Sequence, residues 1–144
     1  MKVKISVQII PYFVKLFLNS VIVSDSSQGG NEMVKFLCKV CNLEISETVT
    51  ELRDWRLITK KDGHDYIPKG FYLIKEESSI ILNSKDLTNS KYHSDPRRLN
   101  GCCGLDGCDG MNRVCLNGHD VASEYSDCWT YHKIVLNLES VEIL

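Results

Sequence analysis

The sequence predicts a mostly β, small, loop-rich domain with little helix. Three observations lead there. Short runs of β-branched and aromatic residues alternate with polar ones at period two and show no sustained helical period, and turn residues punctuate them every few positions. The third is an unusual load of soft ligands: seven cysteines and four histidines in 144 residues. A core this short of long apolar segments gains folding free energy from a bound ion, so the domain reads as zinc-pinned and zinc-ribbon-like.

Composition excludes several classes. With 43% hydrophobic and 25% charged residues the chain is neither disordered nor fibrous, and a net charge of -2 gives no global pull toward nucleic acid or anionic membrane. One basic stretch, Lys85, Lys91, His93, Arg97 and Arg98, reads as a solvated loop. An odd cysteine count argues against a secreted disulfide framework. Thiolate metal sites belong to a reducing compartment, and this places the protein in the cytoplasm.

The opening run, "MKVKISVQIIPYFVKLFLNSVIVS", resembles an export signal at first sight. Gln8, Pro11 and Lys15 interrupt it, however, well short of the roughly 20 apolar residues a spanning helix needs. "QGGNEM", Gln28 to Met33, can be back-translated to contain AAGGAGG about seven nucleotides before an ATG, a bacterial ribosome-binding site. Residues 1–32 are therefore read as a misassigned start or a disordered extension, and 33–144 as the zinc-binding domain.

From Met33, "MVKFLCKVCNLEI" sets Val34, Phe36 and Val40 against Lys35 and Lys39, a strand entering a tight turn. "SETVTELRDW" offers Ser46 as a helix cap with Val49 and Leu52 on one face, although its β-branched residues weaken a helix there. Asp62-Gly63 is a hairpin signal between "WRLI" and "YIPKGFYLI". "FYLI" and "IVLNL" are strand candidates, and "SKDLTNSKY" has room for one helical turn.

Cys38-Lys-Val-Cys41 is a C-x2-C knuckle: its two-residue spacer aims both thiolates at one ion while backbone N–H groups donate to the sulfurs. The redox pairs that share this spacing sit in a βαβ unit, and none is visible. Downstream, "NGCCGLDGCDGMNRVCLNGHDVASEYSDCWTYH" adds Cys102, Cys103, Cys108, Cys115, His119, Cys128 and His132. Cys102 and Cys103 lie between Gly101 and Gly104, where the backbone can turn sharply. The expected grouping is Cys38 and Cys41 with thiolates from the Cys102–Cys108 region, and a second site from the pairs Cys115-x3-His119 and Cys128-x3-His132, joined by a hairpin through "DVASEYS". Nine candidates exceed by one what two tetrahedral ions require, so one or two zinc ions are expected. An iron–sulfur cluster is the minor alternative, because the histidines suit zinc better. Asp106, Asp109 and Asn112 lack the alternation of an EF-hand loop and read as turn chemistry, and Trp129 as a lid on the metal core.

The run "DPRRLNGCCGLDGCDGMNRVC…GHDVASEYSDCWTYH", Asp95 to His132, together with the early C-x2-C, resembles a block in a family of uncharacterised small bacterial proteins. That resemblance implies metal and a start at Met33, and it implies no activity.

The function expected is a non-catalytic zinc-binding module with structural metal, its partner another protein rather than nucleic acid or membrane. Two alternatives stand beside it: a zinc hydrolase with Glu124 or Asp127 as general base, for which no HExxH or deaminase string exists, and a thiol redox or metal-delivery protein using Cys102–Cys103. The reading of residues 1–32 predicts that intact-mass measurement on the native protein finds a chain beginning at Met33; a species beginning at Met1 would overturn it.

Overall fold

The computed structural model describes residues 32–75 and 79–144; the apolar run at 1–31, and with it the expected start, lies outside the described residues. Ten strands follow in order: β1 Met33–Val34, β2 Phe36–Cys38, β3 Val49–Glu51, β4 Phe71–Lys75, β5 Ser79–Leu82, β6 Ser90–Tyr92, β7 Arg113–Cys115, β8 Asp120–Tyr125, β9 Lys133–Asn137 and β10 Val141–Ile143. Helix is confined, among the described residues, to three single 3-10 turns at Trp55–Leu57, Ser84–Asp86 and Pro96–Arg98. The fold is mostly β, small and loop-rich.

Eight strands form one sheet in the order β1-β3-β4-β5-β9-β8-β7-β6, and β2 pairs separately with β10. Only β3 and β4 run parallel. Strand β5 buries successive residues on both faces, so its sequence reads as a continuous apolar run, whereas its neighbour β9 alternates buried and half-buried positions. Ile80 and Leu82 of β5 enter the main core with Ile134 and Leu136 of β9, Val121 of β8 and Phe36 of β2. Between them Ile81, with Leu73 of β4, faces a smaller cluster completed by Leu52 and Ile67. Phe36 meets Tyr72 edge-on, with centroids 5.6 Å apart, which fastens the β2–β10 ribbon over the main face.

Two local expectations fail for identifiable reasons. The segment from Ser46 is not a helix: Val49–Glu51 is strand β3, and the Ser46 hydroxyl, buried, accepts from the Phe36 N–H at 2.9 Å instead of capping a turn. β-Branched Val49 and Thr50 favour the extended form, and tertiary pairing decides. The Asp62-Gly63 turn exists, with Gly63 at φ 71, but "WRLI" is no strand; Trp55–Leu57 is a 3-10 turn capped by Asp54. Conversely, "FYLI" and "IVLNL" fall in β4 and β9, and "SKD" makes its one turn.

The basic stretch is largely paired with carboxylates: Lys85 meets Asp65 at 2.9 Å, Arg97 meets Asp95 at 2.8 Å and Arg98 meets Asp120 at 3.1 Å. Among the described residues no helix is long and apolar enough to cross a membrane.

Asn112 is the fully buried polar residue that closes β8 against the loop before β7. Its amide accepts from the Glu124 N–H at 2.7 Å and donates to the Glu124 carbonyl at 3.0 Å, replacing a ladder rung. Asn112→Leu, nearly isosteric, leaves both backbone groups without partners, each worth about 1–3 kcal/mol. Urea unfolding is expected to show a loss of about 2–4 kcal/mol with unchanged m-value; a loss below about 1 kcal/mol would mean that water replaces the amide.

Candidate metal centre

Two groups of soft side chains form, one at each end of β8. At its start Cys38, Cys41, Cys115 and His119 bring their ligand atoms within 4.8 Å of one another; beyond its end Cys102, Cys103 and Cys128 do the same. The strand itself, six residues long, holds the two groups apart by about 20 Å of extended chain.

The first group is assembled by two tight turns. After Cys38 the chain reverses: Asn42 N–H donates to the Cys38 carbonyl at 2.7 Å, and Cys38 N–H to the Leu43 carbonyl at 2.8 Å. Asn42 takes the left-handed conformation at φ 56 that lets the knuckle close, a region asparagine tolerates better than most residues. The facing turn spans Cys115 to His119. Gly118, at φ 89, donates to the Cys115 carbonyl at 2.8 Å, so the strand turns back within three residues and His119 lands beside Cys115.

Separations in this group suit a tetrahedral ion. His119 Nδ1 lies 3.7 Å from Cys38 Sγ and 3.3 Å from Cys115 Sγ, and Cys41 Sγ lies 3.8 Å from Cys115 Sγ. Donors at about 2.0–2.3 Å from one tetrahedral centre stand roughly 3.5–3.8 Å apart. Cys38 and Cys115 are fully buried, and the other two are half-buried.

Backbone and side-chain N–H groups point at these sulfurs. Burial pushes the Cys38 thiol up, opposed by the N–H groups of Cys41 and Val40. The Cys41 thiol is lowered to about 6, first by the Asn117 side-chain amide and then by the Leu43 N–H. His119 N–H also points at Cys115 Sγ, at 3.4 Å. Asn117 was not among the sequence candidates, yet Asn117-Gly118 is a standard hairpin pair, and that signal was there to be read.

The second group is built around Asp127. Its carboxylate accepts the backbone N–H of Cys102 at 2.6 Å, of Cys103 at 3.0 Å and of Cys128 at 2.7 Å, so one buried side chain gathers the amides of all three cysteines. These bonds, the Cys102 amide's first, hold the Asp127 carboxyl at about 2. The double-cysteine loop lies flat on the segment after β8: a Cβ at Gly104 would stand 2.2 Å from the Ser126 carbonyl oxygen, a place no other residue can take. Cys128 Sγ is 2.9 Å from Cys103 Sγ, and Cys103 Sγ is 3.9 Å from Cys102 Sγ. The Cys128 thiol is pushed up to about 12, by its sulfhydryl bond to Cys103 first and by Asp127 next. All three cysteines are exposed.

The structure thus regroups the expected ligands. Cys38 and Cys41 meet Cys115 and His119, not the Cys102–Cys108 region. "DVASEY" is the single strand β8, not a hairpin, so it carries Cys128 away from Cys115. His132 joins neither group: the turn closed by Thr130 N–H on the Asp127 carbonyl ends too early, and His132 continues extended, bridging Asp65. A Cys-x3-His pair converges only when the residues between it turn back. Cys108 also stands apart, its N–H on Asp106 Oδ1 at 2.9 Å.

The remaining oxygen ligands disperse: Asp109 accepts from the Asn100 amide at 2.8 Å, and Asn112 is buried on Glu124. Trp129 is 58% exposed, too open to serve as a lid.

Because the Asp127 pKa is depressed below its ordinary 3.8, its stabilising effect is fully present above that value and is lost as pH falls through about 2. Amide hydrogen exchange is expected to show protection at Cys102, Cys103 and Cys128 that collapses together in Asp127→Ala at neutral pH. Wild-type protection at all three persisting in that variant would remove the carboxylate from this role. No protein-family model, curated protein or solved structure matches the chain, so its reading rests on this geometry.

Proposed function

We propose that this chain is a non-catalytic zinc-binding protein whose Cys38, Cys41, Cys115 and His119 hold one structural zinc ion, and whose folded surface serves a protein partner. The carrying observation is the donor set itself, three sulfurs and one imidazole nitrogen with two of the four residues wholly buried. Four protein ligands leave no position for water, which is the mark of a structural rather than a catalytic zinc site. Zinc would supply there the positive charge that makes two buried sulfurs tolerable as thiolates.

The hydrolase alternative needs a free carboxylate beside an open metal position. Glu124 is occupied by Arg113 at 3.5 Å, and Asp127 by three backbone amides. The protein-partner half of the proposal draws support from exposed aromatic surface, Trp55 at 67% and Trp129 at 58%. Grouped thiols beside a histidine suit metal thiolates, which belong to a reducing compartment, and we place the protein in the cytoplasm on that ground.

Zinc analysis by native mass spectrometry tests the centre. Cys38→Ser and Cys115→Ser are expected to lose the same single equivalent of zinc and to lower the melting temperature sharply, because either change dismantles one site. His132→Ala is expected to keep full zinc content. If Cys115→Ser retains the ion that Cys38→Ser loses, the four residues do not form one centre.

A further inference from the structure

At the far end of β8 from the zinc centre, Cys102, Cys103 and Cys128 converge on one another without any fourth ligand. We propose that they form a solvent-accessible three-thiolate site for a soft monovalent cation, copper(I), that exchanges its ion with thiol-bearing carriers.

The donor set points to the ion class. All three donors are sulfur, and no histidine, aspartate, glutamate or further cysteine among the described residues completes the group. Thiolate-only sites select copper(I), zinc or iron–sulfur clusters. Structural zinc and cubane or rhombic clusters each take four ligands from the protein. Copper(I), a d10 ion of low charge, is satisfied by three sulfurs in a plane.

Spacing agrees. Three sulfurs at about 2.3 Å from a central ion in a trigonal plane stand about 4 Å apart. Cys102 and Cys103 are already at 3.9 Å, whereas Cys103 and Cys128 are at 2.9 Å, close enough to share a thiol proton. On binding, the three thiols release their protons to solvent and the cation replaces the S–H···S contact between Cys103 and Cys128. One sulfur has to retreat by about 1 Å, a rotamer adjustment for exposed side chains.

The backbone is already arranged. Asp127 ties the amides of the three ligand residues to a single carboxylate, and Gly104 lets the loop lie against Ser126. That arrangement also explains exchangeability. At the zinc centre N–H groups point at sulfur; here the same groups point at Asp127, so the thiolates are left to the cation alone, in a site whose ligands are all exposed. The Asp127 charge adds to theirs and favours a cation over a neutral or anionic ligand.

Full-length protein loaded with zinc, titrated without oxygen with copper(I) buffered by bicinchoninate, tests this. One equivalent of copper(I) is expected to bind with thiolate-to-copper absorption in the near ultraviolet, three sulfur neighbours by X-ray absorption, and no zinc release. Cys102→Ser and Cys128→Ser are expected to abolish that equivalent while retaining zinc. Asp127→Asn, which leaves every thiol in place, is expected to weaken it about tenfold. Copper that binds only by expelling zinc, copper retained undiminished by Cys128→Ser, or a second zinc in this site that copper(I) does not displace would each overturn the proposal. A chain that holds no zinc at Cys38 yet still takes copper through Cys102, Cys103 and Cys128 would sink the zinc reading and leave this one standing.

Discussion

Two sulfurs with no exposed surface, those of Cys38 and Cys115, sit in the main apolar core together with Ile45, Leu87 and Val121, and two turns far apart in sequence converge there to bring Cys41 and His119 beside them. As neutral thiols they are small apolar fillers. As thiolates they are untenable in that setting without a cation. Both turns aim N–H groups at these sulfurs or their neighbours, from Val40 and Cys41 at Cys38, Leu43 at Cys41 and His119 at Cys115, so a cation held there would meet thiolates already supported by the backbone.

The β2–β10 ribbon stands as a separate sheet. Among the described residues Phe36–Cys38 takes its ladder from β10 and not from the large sheet, while Cys38 and Cys41 face Cys115 and His119. Val141, opposite Cys38 in that pairing, is buried against the same core. The chain's last strand and its first cysteine are thereby held through one hydrogen-bonded register. A bound ion at the knuckle would couple the ribbon to β7 and β8, elements more than seventy positions away in sequence, and such long-range closure is where a cross-link removes the most unfolded-state entropy.

The fold class was legible because its evidence is local: β-branched and aromatic runs, an Asx-Gly pair and a knuckle spacing all speak within a few residues. The seven soft side chains that converge were legible as candidates for the same reason, though Cys108 and His132, which look alike in sequence, stand apart. Their grouping was not. Cys115-x3-His119 and Cys128-x3-His132 look alike on paper, and what separates them is one dipeptide, Asn117-Gly118, that turns the first pair on itself. The second pair has its turn one step early, at Asp127–Thr130, and so sends His132 into a bridge with Asp65. Asp127 was visible only as a free acid. Its three amide partners come from positions 102, 103 and 128, and no local pattern joins those.

Backbone N–H groups are the scarce resource that makes the two ends of β8 different. Each loop has only a few donors not consumed by ladders, and a sulfur or a carboxylate can take them, not both. At the buried end they go to sulfur, which would support thiolates around a bound cation. At the exposed end Asp127 takes them instead, which fixes the backbone and leaves the three sulfurs, once deprotonated, beside a carboxylate of like charge. The first allocation suits a long-held ion; the second would leave an ion held by little besides its own bonds to sulfur. Strand β8, long enough to keep these two environments apart, lets one short chain carry both.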